Sequence, residues 1–279
     1  LAVANCLPGG MLRQALLERA ARQSRRFGNE DEYRAAIGDL RRLEVGLSAT
    51  QPDESLGEIE EMIQRHGEAP ELERRVLVAR ALVNKGVTLR QLGRPEQEVA
   101  AYDEVITRDA GSSEPALREP VAFALVNKGI TLGSRLGRPE QALAAYDEVI
   151  KRDAESGDPA LREPVAKALV NKGCTLGQLG RPEQALAAFE EVVTRDADSS
   201  DPALRVLVAR ALVNKGVALG RLGRPEQALA AYDEVITRDA GSIDPALREP
   251  VAKALVNKGV TLAELSRPEQ ALAAFEGVV

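Results

Sequence analysis

Residues 81–86 read Ala81-Leu82-Val83-Asn84-Lys85-Gly86, and the Val-Asn-Lys-Gly within that stretch returns at Val126, Val170, Val213 and Val256. The successive offsets are 43, 44, 43 and 43 residues. A fixed period of this length marks a repeat architecture, in which one supersecondary unit cannot bury its apolar face until a neighbour stacks on it. Each repeat continues into Arg-Pro-Glu-Gln, beginning at Arg94, Arg138, Arg181, Arg224 and Arg267, so five repeats are visible. The single longer offset has a local cause. Thr131-Leu132-Gly133-Ser134-Arg135-Leu136 in the second repeat stands where the first has Thr88-Leu89-Arg90-Gln91-Leu92. A worn half-repeat precedes the five, because Pro52 lies 43 residues before Pro95 and is followed by Leu56, Ile59, Met62 and Ile63 at helical spacing.

Within a repeat the apolar period is helical. Leu117, Val121, Leu125, Leu132 and Leu136 fall on one stripe, with Gly129 between them where close approach is needed. The stripe passes Pro120 without a change of phase, so one long first helix starts near Pro115 and gives up a single backbone bond at Pro120. A short turn with a new helix beginning at Pro120 is the alternative. Gly137 ends the first helix and Pro139 opens the second, which buries Leu143, Tyr146, Val149 and Ile150 and turns Asp147 and Glu148 to water. Stacked helix pairs then share a continuous core, and the fold class is an all-α solenoid. No strand-like alternation competes with it over residues 70–279.

These residues carry a family resemblance. Ala81 to Gly86, Leu89, Leu92-Gly93-Arg94, the small Ala142 or Ala185, the aromatic Tyr102 or Tyr146 and Asp109-Ala110 resemble the tetratricopeptide repeat, over about three quarters of the chain. The unit is some nine residues longer than the usual one of about 34, and Ala110 or Ala154 stands where Pro usually closes the repeat. The added Pro-Ala-Leu-Arg-Glu segment is most similar to a longer-repeat bacterial subclass, with units of about 42 to 44 residues. The resemblance implies a right-handed superhelical solenoid of stacked antiparallel helix pairs. The domain reading is an array over 51–279, with the worn half-repeat at 51–69 and the last repeat truncated. Residues 1–50 form a separate helical region, patterned at Met11 to Arg26 and Glu30 to Val45, either a degenerate repeat or the tail of an upstream domain.

Composition narrows the function. Aromatics make up 3% of the chain and Trp is absent, so Leu, Ala and Val must fill the core and the helices must lie close. One His, two Cys and a pI near 5.2 argue against a metal centre, a disulfide frame and polyanion binding, so neither nucleic acid nor a cofactor is expected. No apolar run approaches the length of a membrane span, and Leu1 to Pro8 lack a signal-peptide pattern, which reads as a cytoplasmic protein. Arg outnumbers Lys 29 to eight, consistent with a GC-rich bacterial genome. The sequence as given opens on Leu1 and stops inside a repeated motif, so it reads as a fragment.

No catalytic constellation emerges. His66 reads as a helix-terminal or exposed loop histidine, Cys6 has no Cys or His partner near it in sequence, and Cys174 takes a place held elsewhere by Val or Ile. Recurring carboxylates such as Asp103-Glu104, Asp147-Glu148 and Asp233-Glu234 read as solvated faces. No Gly-rich phosphate loop occurs.

The first helices carry the candidate site. Asn84, Asn127, Asn171, Asn214 and Asn257 recur one helix pair apart. Tetratricopeptide proteins place first-helix residues on a concave surface, so the resemblance implies that these Asn line a groove with Val87, Ile130, Cys174, Val217 and Val260 one turn later. One turn earlier stand Arg80, Phe123, Lys167, Arg210 and Lys253. Amides can hydrogen-bond an extended backbone without demanding a sequence, and the four cations would favour a carboxylate-bearing segment. The plainer alternative is that the Asn bond neighbouring helices and the cations only solvate the face. Lys85, Lys128, Lys172, Lys215 and Lys258 follow each Asn and should pack their stems while the ammonium groups reach water.

The leading functional expectation is a non-catalytic protein-interaction scaffold whose groove takes an extended or helical segment of a partner protein. The alternative is a sensory or regulatory arm of a larger bacterial signalling or defence enzyme, its catalytic domain lying elsewhere. Leu262, Leu265, Leu272 and Phe275 of the last repeat have no following helix, so end-to-end self-association is a third expectation.

Overall fold

The computed structural model describes residues 52–67, 71–239, 241–242 and 244–277. The reading of residues 1–50 and of Cys6 lies outside them. Among the described residues the regular structure is helical, in eleven α-helices: α1 (Pro52–His66), α2 (Leu72–Gln91), α3 (Pro95–Asp109), α4 (Pro115–Ser134), α5 (Pro139–Asp153), α6 (Arg162–Gln178), α7 (Pro182–Asp196), α8 (Pro202–Arg221), α9 (Pro225–Asp239), α10 (Pro245–Glu264) and α11 (Pro268–Glu276). First helices (α2, α4, α6, α8, α10) alternate with second helices (α3, α5, α7, α9, α11). The segment read as a worn half-repeat contains α1, 15 residues long like α3, α5, α7 and α9.

Helix boundaries follow local chemistry. Each second helix after α1 begins with Pro, whose missing N–H belongs to a group unpaired in any first turn, and Glu follows it at the positive end of the helix dipole. Asp201 caps α8 by accepting from the Ala203 and Leu204 amides at 2.8 and 3.3 Å, and Asp244 caps α10 through Ala246 at 2.9 Å. First helices exit through a left-handed residue, Gly223 in the fourth repeat at φ 69°. The last repeat has Ser266 there, at φ 57°.

The single-long-helix reading of the first segment holds for α4 and α10, which carry Pro120 and Pro250 inside 20-residue helices. In the third repeat the opening turn is instead a 3₁₀ turn, Pro159–Leu161, before α6. The extra residue of the second repeat is absorbed at the exit of α4, where Arg135 and Leu136 both donate to the Thr131 carbonyl, at 3.0 and 3.1 Å.

Two compact bodies divide between Gly137 and Arg138. In the first, α1 packs on α2, α2 on α3 and α3 on α4, and α2 also touches α4. In the second, each of α5 to α10 packs on the next, and α6 touches α8 and α8 touches α10. Next-but-one contact thus joins first helices; second helices show no comparable packing on one another. This is a solenoid of helix pairs, with a core of Leu, Ala and Val supplemented by buried second-helix rings, such as Tyr102 and Phe189. Every fully buried Leu contributes about 1.5–3 kcal/mol. The recurring Gly of α2, α6, α8 and α10 lies against the ring of the following second helix: a Cβ on Gly216 would stand 2.3 Å from Tyr232 Cε1.

Polar side chains tie the pairs together. Asp109, Asp196 and Asp239 at the ends of second helices are buried and receive Arg75, Arg162 and Arg205 from the first helix of the same repeat, at 2.7, 2.7 and 2.8 Å. The lysines after each Asn do more than reach water. Lys172 pairs with Asp147 at 2.6 Å, Lys215 with Glu190 at 3.2 Å and Lys258 with Asp233 at 2.6 Å, each reaching the preceding second helix; Lys85 and Lys128 do the same with Glu60 and Asp103. Half of each supposed solvated acidic pair is therefore an inter-repeat contact. His66 ends α1 as expected but is buried, not exposed.

Candidate functional site

The sequence-predicted rows lie in mid-helix on the first helices and fall into two sets. The first body holds Arg80, Asn84 and Val87 on α2 with Asn127 and Ile130 on α4. The second holds Lys167, Asn171 and Cys174 on α6, Arg210, Asn214 and Val217 on α8, and Lys253, Asn257 and Val260 on α10. The five Asn are half-buried, as are Val87, Ile130, Cys174 and Val217, while Val260 is exposed.

Contact within a set is direct. The Asn214 amide donates to Cys174 Sγ across the α8–α6 seam at 3.5 Å, the long range of a sulfur hydrogen bond. The Asn171 amide instead donates to its own helix, to the Lys167 carbonyl at 2.9 Å. The Asn row is therefore not a uniform ladder of outward amides; at Asn171 and Asn214 donor capacity is used within the fold.

The cations are partly neutralised. Arg80 meets Glu119 of the next repeat at 3.1 Å, and Lys167 and Lys253 meet Glu163 and Glu249 one turn earlier on their own helices, each at 2.6 Å. Arg210 has Val206 at that earlier position and makes no ion pair within 4.0 Å among the described residues. Sequence reading overlooked these glutamates, although their spacing of four from Lys167 and Lys253 was visible. Burial pushes the Cys174 thiol up, offset in part by the charges of Arg210 and Lys253. Glu249 is held below the usual carboxylate range by the Lys253 hydrogen bond and charge. No three His, Cys, Asp or Glu among the described residues are grouped to hold a metal ion.

At the far end of the array, Val256, Val260, Leu272 and Phe275 are the large apolar side chains exposed among the described residues. The expectation for this end needs amendment: Leu262 is buried against Leu229, Ala271 and Ala274, with Leu265 packed alongside.

Family comparison agrees with the helix-pair reading. Models described as tetratricopeptide repeat match residues 79–111, 170–243 and 213–279, about half of the chain in total. The chain belongs to the tetratricopeptide repeat family. A model of anaphase-promoting complex subunit 5 also matches residues 101–167. No curated protein matches the chain. Among solved structures, BtubC (BKLC) from P. vanneervenii is 16% identical with a TM-score of 0.66, covering 82% of this chain and 90% of that one. PilW, a type IV pilus biogenesis factor, is 14% identical with a TM-score of 0.57, covering 86% and 87%. YrrB, described as a tetratricopeptide protein with an unusual peptide-binding site, is 19% identical with a TM-score of 0.50, covering 79% and 90%. At these identities the likeness is one of fold. No described helix of this tetratricopeptide protein is long and apolar enough to cross a membrane.

Proposed function

We propose that the chain is a protein-interaction scaffold that holds a segment of another polypeptide against its first-helix face, with no chemistry of its own. The observation carrying this reading is the Asn214–Cys174 contact: side chains of successive first helices meet, so they form one continuous face rather than separate ridges. In the second body that face runs Lys167, Asn171, Cys174, Arg210, Asn214, Val217, Lys253, Asn257 and Val260, a mixture of amide, aliphatic and cationic groups suited to a peptide backbone and its side chains. Arg210, which makes no ion pair within 4.0 Å among the described residues although its charge reaches Glu249, supports a carboxylate-bearing partner. A half-buried free thiol suits a reducing, cytoplasmic setting, and the Arg-rich composition a bacterial one.

The test is retrieval of partners from the source cell with the intact chain, beside an Asn127, Asn171, Asn214 triple Ala variant and a Lys167, Arg210, Lys253 triple Glu variant. Loss of the same partner in both, at unchanged helicity, supports the reading; a partner retained equally by both refutes it. A second reading, self-association through the last repeat, is favoured by exposed Val256, Val260, Leu272 and Phe275. Light scattering over a concentration series decides it, since a strict monomer at high concentration removes the idea.

A further inference from the structure

The position that holds Ala142, Ala185, Ala228 and Ala271 in the later repeats holds Glu98 in the first. Its side chain is wholly buried. Arg90 Nε donates to Glu98 Oε1 at 2.7 Å, Thr131 Oγ1 at 2.6 Å and the Tyr102 hydroxyl at 3.3 Å. Arg135 Nη1 lies 3.8 Å from Oε2, an oxygen that receives no hydrogen bond, and donates to the Arg90 carbonyl at 3.0 Å. One carboxylate therefore draws groups from α2, α3 and α4.

Arg90 and Glu98 are exchanged together. Every later repeat has Gly or Ala at both positions, and in the third repeat a Cβ on Gly177 would stand 4.0 Å from the Ala185 Cβ, so the two sites face each other across the helix pair. One repeat thus has an ion pair where the other four have Gly or Ala at both positions. The helix that covers this pair is matched to it. Glu98 needs a hydroxyl and a guanidinium from the following first helix or its cap; α4 supplies Thr131, and Arg135 caps its C-terminus. The other described first helices lack one or the other: Thr88 and Gln91 in α2, Thr175 and Gln178 in α6, Ala218 and Arg221 in α8, Thr261 and Glu264 in α10.

We propose that the Arg90–Glu98 pair with Thr131 and Arg135 is a register lock that admits α4, and no other first helix of the array, onto the α2–α3 pair. Such a device has a purpose here. Pro-Ala-Leu-Arg-Glu-Pro-Val-Ala opens α4, the third repeat and α10 alike, so apolar packing alone discriminates poorly among them, and repeat chains characteristically fail by misassembly and swapping. A buried charge left without its partners makes the wrong pairing costly even where the right pairing adds little net stability.

The test uses the full chain, unfolded in urea and refolded by dilution, with the fraction returning to the elution position and mass of never-unfolded protein as readout. Glu98→Ala should lower the urea midpoint, because Arg90 and Thr131 lose their acceptor, and should lower the returning fraction. The double variant Arg90→Gly, Glu98→Ala, which copies the later repeats and remains informative should Glu98→Ala fail to fold, should regain the midpoint yet return a smaller fraction than wild type, the balance forming swapped oligomers. Glu264→Arg, which gives α10 the missing guanidinium beside Thr261, should act as a decoy and lower the returning fraction while the midpoint stays put. A double variant that refolds as cleanly as wild type, or a decoy without effect, overturns the lock.

Discussion

Thr131 on α4 donates its hydroxyl to Glu98 on α3 at 2.6 Å, with the Asn127 carbonyl one turn back 3.0 Å away to share the same proton, whereas Thr175, its equivalent in the third repeat, donates to the Asn171 carbonyl at 2.9 Å, and the preceding repeat offers Ala142 in place of the carboxylate. The same residue type thus spans two helices in one repeat and closes on its own helix in another.

Replacement by Val should separate these roles. A hydrogen bond to a charged group is worth about 1.5–3 kcal/mol, so Thr131→Val should destabilise by about that amount, since Glu98 is left short of a donor. Thr175→Val removes a local bond of about 0.5–1.5 kcal/mol and adds β-branched apolar surface, so its net effect should be near zero. Urea midpoints of the two variants check this, and equal losses would contradict the assignment.

Glycines on a single helix should respond in opposite directions. Gly216→Ala drives a methyl to 2.3 Å from the Tyr232 ring, which cannot retreat because it is buried between helices, so the variant should lose stability by an amount typical of overpacking, about 1–3 kcal/mol. Gly220, four residues along α8, has nothing within 4 Å of a built Cβ, and Gly220→Ala should gain up to about 1 kcal/mol of helix propensity. Thermal unfolding of both variants is sufficient, with wild type between them.

Much of this fold was legible because its determinants are local. Gly93-Arg94-Pro95 punctuates a helix pair by backbone conformation alone, and Gly86 announces the close approach of the Tyr102 ring. The ion pairs were less legible. Lys172 finds Asp147, and Arg162 finds Asp196, across helices, at separations that depend on how pairs nest and not on the helical period. Glu98 was hidden for a different reason: reading by period compares what repeats share, and Glu98 with Arg90 is what one repeat does alone. At the candidate site the rows of Asn, aliphatic and cationic residues were readable, whereas the neutralising Glu119 was not, because it sits one repeat beyond the Arg80 it meets.

Ser266 should be improved by substitution. It adopts φ 57° at the exit of α10, where earlier repeats place Gly93, Gly137, Gly180 and Gly223, and a side chain in the left-handed region costs roughly 1–2 kcal/mol. Ser266→Gly should therefore raise stability, by about 1 kcal/mol once the greater freedom of Gly in the unfolded chain is deducted. Because Ser266 joins α10 to α11, the gain should show as slower amide exchange in those helices, and unchanged exchange there would contradict it.

Alkaline stability should carry the mark of Tyr232. Burial, with Glu264 nearby, pushes its phenol up to about 12 from the ordinary 10. The folded state therefore keeps the proton while the unfolded chain gives it up, and stability from this group is complete below pH 10 and falls as pH rises from there toward about 12. The slope for one such group is roughly 1.4 kcal/mol per pH unit. Tyr232→Phe keeps the ring against Gly216 and removes the ionisable oxygen, so it should flatten this part of the profile. Urea midpoints at about pH 9 and about pH 11 should show wild type losing more stability than the variant over that interval, and parallel losses would show that the Tyr232 phenol is not the group responsible.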